Sequence, residues 1–115
     1  MARRAELISP GAFTHQLTEL TGVPGSRLAE PDGLSAVAIA AAGAVGLSTY
    51  GPPVVRSGPK GTAVGLLCHG GHVVLHAVPE EGRCLVDIVA RAPASASRGV
   101  EVIAKRLGAE VKPSR

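Results

Sequence analysis

The chain has 115 residues and a mass of 11.6 kDa; 45% of it is hydrophobic, 18% charged and 2% aromatic. That composition suits one packed core and is too apolar for a disordered body. The expectation is a single domain over residues 1–115, with residues 1–10 and 112–115 as flexible tails. The net charge of +3 belongs to those tails, because residues 11–110 carry eight basic and eight acidic side chains.

A neutral body with only Phe13 and Tyr50 as aromatics offers neither a basic face nor a stacking platform, which argues against nucleic acid as a partner. The longest mostly apolar run, Leu34 to Leu47, has 14 residues, short of the ~20 a spanning helix needs. No continuous apolar stretch follows Arg3 and Arg4, so no signal peptide or membrane partner is expected and the chain reads as cytoplasmic. Cys68 and Cys84 stand singly in apolar runs without CxxC spacing, which points to two reduced, buried thiols.

Phe13, His15, Leu17 and Glu19 alternate with Thr14, Gln16 and Thr18, and this period of two with two β-branched threonines suggests a short strand. Thr21 to Gly33 holds two prolines and three glycines and reads as loop. Asp32 offers an N-cap for a helix over 33–44. Its small apolar residues on nearly every side call for close packing on a sheet. Gly43 and Gly46 can end it, and Gly46 to Tyr50 reads as a short strand. Gly51 to Gly61 (GPPVVRSGPKG), with Arg56 and Lys60, reads as an irregular loop because Pro and Gly break regular pairing.

The clearest pattern follows. Thr62 to Cys68 and His72 to Val78 read as strands joined at His69-Gly70-Gly71. Two glycines free of a Cβ there can both take positive φ. Pro79 ends the second strand, Glu80-Glu81-Gly82 turns the chain, and Arg83 to Ala90 completes an antiparallel meander. Beyond Pro93, Ser95 or Ser97 can cap a helix whose Val100, Ile103, Ala104 and Leu107 form one apolar stripe, with Gly108 as the stop. Ala109 to Val111 reads as a further edge strand. The element order, βαβ, two more strands and a helix, predicts an α+β two-layer sandwich with two helices on one face of an antiparallel sheet. The other face stays apolar, so a dimer is expected to cover it.

Chemistry-bearing residues are few. His72 and His76, four apart on one strand, share a face. With Cys68 and His69 they could be metal ligands, but alternation separates Cys68 from His69 and no carboxylate stands at ligand spacing, so no metal is expected. A histidine acting as general acid or base, and plain exposed strand histidines, are the other readings. No phosphate-binding glycine loop and no GxSxG elbow is present.

The segment GTAVGLLCHGGHVVLHAVPEEGRCLVDIVA, residues 61 to 90, resembles the core of the bacterial and archaeal S-adenosylmethionine decarboxylases, small proenzymes of spermidine biosynthesis. His72, His76, Pro79, Glu80, Gly82 and Asp87 fit that core without a gap. The resemblance implies a decarboxylase-like fold and a link to polyamine metabolism. The family makes its own cofactor: a serine hydroxyl attacks a backbone carbonyl, and elimination from the ester leaves a pyruvoyl group that serves as electron sink.

The family's Glu-Ser pair falls on Gly70 and Gly71, its second processing serine on Ala63, and its proton-donating cysteine on Arg91. Of the set only His76 remains as a catalytic candidate. No Ser or Thr lies between Thr62 and Ser95 to take over. The expectation is a pseudoenzyme without the pyruvoyl cofactor. It would bind a small metabolite such as S-adenosylmethionine or an amine through His72, Glu80, Arg91 and Tyr50, or regulate a true decarboxylase subunit. Two alternatives stand beside it. One is an active decarboxylase whose partner subunit supplies the pyruvoyl; the other is different chemistry through His76, Cys68 or Arg91. The family holds adenine with aromatic side chains, and here only Phe13 and Tyr50 could do so.

Overall fold

The structure is a computed structural model describing residues 12–109; the expected tails and the 110–111 part of the last strand lie outside the described residues. Five strands form one antiparallel sheet in the order β1-β5-β4-β3-β2. They are β1 (Phe13–Leu20), β2 (Val54–Gly58), β3 (Gly61–Cys68), β4 (Gly71–Val78) and β5 (Arg83–Arg91). A short α1 (Gly25–Leu28) precedes the two main helices, α2 (Pro31–Val45) and α3 (Ala96–Leu107).

Alternation assigns the faces. Val64, Leu66, Val73, Leu75, Val86 and Ile88 are fully buried beneath the helices. Leu34, Val37, Ala38, Ala41 and Ala42 of α2, and Val100, Ile103, Ala104 and Leu107 of α3, complete that core. The apolar stripe read for the second main helix is the buried stripe of α3, with Ser95 at its N-cap and Gly108 left-handed at its end. Thr14 anchors that helix to β1: its hydroxyl donates to the Ala94 carbonyl at 2.8 Å and accepts from the Ala96 N–H at 3.2 Å. No helix among the described residues is long and apolar enough to cross a membrane.

Five local expectations are corrected. The segment 51–61 is not a loop throughout: Val54–Gly58 pairs with Gly61–Gly65 around a Pro59-Lys60 turn. As an edge strand, β2 needs only one satisfied side, which the neighbouring prolines permit. Gly46–Tyr50 is not a strand; its only ladder contact is an isolated Thr49–Cys68 bridge. The 21–33 loop contains α1 and the start of α2, whose N-cap is Glu30 rather than Asp32, and Gly46 rather than Gly43 ends that helix. The β3–β4 turn is His69-Gly70, with positive φ at Gly70 alone, and Gly71 already pairs with Cys68. Ala109 follows α3 without joining a strand.

Candidate functional site

The open face of the sheet carries Ala63, His72, His76 and Arg91, whereas His69, Gly70 and Tyr50 lie at the β3–β4 turn and the loop beside it, and Glu80 follows the end of β4. Register pairs them in two groups. Ala63 on β3 lies directly opposite His76 on β4. Gly71, at the start of β4, pairs with Ala90, and Arg91 donates its N–H to the Gly70 carbonyl at 2.8 Å. Five residue steps along the extended strand separate Gly71 from His76, roughly 17 Å. One chain therefore holds these candidates as two groups at opposite ends of β4 rather than as one cluster.

Gly71 is closely enclosed. A Cβ at this position would fall on the Val89 carbonyl oxygen, 2.9 Å from the Val89 carbonyl carbon and 3.0 Å from the Ala90 Cα. The obstacle is the backbone of β5, which cannot rotate aside as a side chain would. At Gly70 the nearest obstacle is the flexible Arg91 side chain, 3.1 Å from the Cβ site at its Cγ.

The remaining candidates divide between the same two ends. Around the β3–β4 turn, Tyr50 is two-thirds exposed and stacks on His69 with ring centroids 3.9 Å apart. The Arg91 guanidinium carbon sits 5.6 Å above the Phe13 ring. Beyond the far end of β4, Glu80 lines a cavity of about 680 Å³ beside Lys60 and Glu81. A second cavity of about 390 Å³ opens beside the β2–β3 turn, lined by Arg56, Lys60, Ala63 and His76. His72, Glu80, Arg91 and Tyr50 do not converge on one pocket.

Between the two ends lies a group that the sequence reading did not assemble. His15 Nε2 is 2.6 Å from Asp87 Oδ1, and His72 Nε2 is 3.6 Å from Asp87 Oδ2. The His72 Nε2 is buried and makes no hydrogen bond. His15 and His72 both pair with Val89, so each reaches Asp87 diagonally from opposite sides of β5. The alternation of β1 placed His15 on a face; only the β1–β5 register reveals its neighbour. No group of three or more His, Cys, Asp or Glu among the described residues has metal-holding geometry. Both thiols are buried on the core side. Burial raises the Cys68 thiol above its ordinary value and pushes Cys84 up to about 11, the opposite of what an activated nucleophile needs.

The sequence pattern that describes S-adenosylmethionine decarboxylases as a family matches residues 14–113. The chain belongs to the S-adenosylmethionine decarboxylase family. Its fold is similar to the crystal structure of the adenosylmethionine decarboxylase from Aquifex aeolicus VF5. The TM-score is 0.78 at 19% identity, over 89% of this chain and 85% of that one. At that identity the likeness speaks for the fold, and the S-adenosylmethionine decarboxylase fold is the antiparallel sheet with helices described above. No curated protein matches the chain significantly.

Proposed function

We propose that this member of the S-adenosylmethionine decarboxylase family does not process itself to a pyruvoyl enzyme and serves polyamine metabolism as a ligand-binding or regulatory protein. The observation that carries this reading is Gly71, which lacks the hydroxyl that processing requires and has β5 backbone where a serine Cβ would stand. The residues present do not fit a pyruvoyl group at that position. Ala63, opposite His76, removes the second hydroxyl, and Arg91 stands where the family has its proton-donating cysteine. Under this reading His76 is a hydrogen-bonding group and not a processing residue.

The partner proposed for the open face is a second copy of this chain. Phe13, Leu17, Val54, Leu67 and Leu85 are large, apolar and exposed there, more than a lone soluble face needs. A two-fold axis turns one copy end for end against the other. It would lay the Gly71 end of one β4 over the His76 end of its partner, joining the two groups that one chain keeps apart.

Intact-mass spectrometry of the purified protein tests the central reading. One chain near 11.6 kDa and no release of labelled CO₂ from S-adenosylmethionine are expected. Two fragments divided before residue 71, or steady CO₂ release, would overturn it.

A further inference from the structure

The groove beside the β2–β3 turn differs in charge from the rest of the open face. Register aligns Arg56, Ala63 and His76 as one row across β2, β3 and β4. Side chains directly opposite on one face stand about 5 Å apart at Cβ. Two long, nitrogen-bearing side chains thus flank a single methyl, and the floor around them is kept low by Gly58, Gly61 and Ala63. Lys60, in the turn, adds a third nitrogen at the rim. No carboxylate lines this groove, and none of the three forms an ion pair among the described residues. Farther along the same row, Glu19 is held by Arg83 at 3.0 Å.

Donor geometry agrees with the charge. One Arg56 N–H is used on the Val55 carbonyl at 2.8 Å, which steadies the guanidinium and leaves its other N–H groups free to donate. His76 presents a ring N–H in either tautomer. The notch is about two strand spacings wide, roughly 10 Å between the outer strands, room for one carboxylate or phosphate group bonded from both sides.

We propose that this groove binds the oxyanion of a small metabolite, a carboxylate or phosphate, through Arg56, Lys60 and His76. The proposal names the ligand class for the ligand-binding role above and rests on that reading. The groove lies at a sheet corner on edge strand β2.

The test is an NMR titration of the full ¹⁵N-labelled chain with inorganic phosphate and with succinate, at constant ionic strength. Saturable shifts are expected at the Arg56, Gly58, Lys60–Ala63 and His76 amides, and not at Glu19 or Arg83. Arg56→Gln and Lys60→Gln should each weaken binding roughly tenfold, as the loss of a charge-assisted hydrogen bond does. Ala63→Leu fills the notch while keeping every charge, and should abolish saturation. Unsaturated shifts spread over all Lys and Arg residues, unchanged binding in Ala63→Leu, or saturable binding of spermidine in this groove would each overturn the proposal. Intact mass is read on the same sample. A cleaved chain sinks the non-processing reading whatever the titration gives, while an intact chain without saturation sinks the anion site alone.

Discussion

The His15 imidazole on β1 reaches diagonally to Asp87 on β5, placing Nε2 2.6 Å from Oδ1. Strand pairing alone brings them together across 72 residues of sequence. His72 approaches the same carboxylate from β4. Because His15 is more than half exposed, the link is worth about 1 kcal/mol rather than the several of a buried pair. Asp87→Ala should lower Tm by roughly 4–8 °C for a domain of this size. The ring signals of both His15 and His72 should move in the same variant. A shift at only one ring would contradict the shared carboxylate.

Gly71→Ser should not restore self-cleavage. Ala63 still lacks a hydroxyl, and the new Cβ meets the Val89 carbonyl oxygen. Crowding of this kind costs roughly 1–3 kcal/mol. Gly71→Ala should lose as much stability as Gly71→Ser in urea denaturation, because the backbone obstructs the Cβ and not the hydroxyl. Rapid cleavage of the serine variant by mass spectrometry would defeat the steric account.

Gly99 poses a conflict between helix propensity and packing. In an open helix, Gly→Ala stabilises by about 1 kcal/mol. Here the added Cβ would lie 2.6 Å from Ile88 Cδ1 and 2.9 Å from Val45 Cγ2, where α3 presses on the sheet and on α2. Overpacking of roughly 1–3 kcal/mol should win, so Gly99→Ala is expected to shift the urea midpoint downward. A rise would show that the neighbouring rotamers yield freely.

The buried thiol of Cys84 links stability to alkaline pH. Its folded value is raised from 9.0 to about 11 by burial, so the native state keeps a proton that the unfolded state releases. Stability from this group is complete below pH 9 and falls as pH rises toward 11, by roughly 2–3 kcal/mol across the window. Cys84→Ala should flatten that decline in pH-dependent denaturation. At pH 8 both native thiols should resist iodoacetamide, and rapid alkylation of Cys84 would contradict its burial.

The two-copy arrangement predicts a sedimentation mass near twice that of the chain. Leu17 and Leu85 are exposed on the open face. Leu17→Asp with Leu85→Asp should leave a folded monomer, because charges there would lose water without gaining a partner. A wild-type chain that is monomeric at high concentration would remove the second copy from the open face.

Much of the framework was legible in the residues themselves. The alternation of Thr62–Cys68, His72–Val78 and Arg83–Ala90, and the 3.6-residue stripe from Val100 to Leu107, are imprints of local covalent geometry. The glycine at position 71 and the family likeness of residues 61–90 are matters of residue identity. Tertiary structure decided the rest. The Val54–Gly58 stretch looks irregular beside its prolines and becomes a strand only because β3 offers an edge. His15 meets Asp87, and Arg56 meets His76 across Ala63, only once register is set by strands distant in sequence. Gly71 is closed to any side chain because β5 lies against it. Periodicity reports which face a residue takes, whereas register and enclosure depend on the partner strand, which no local window contains.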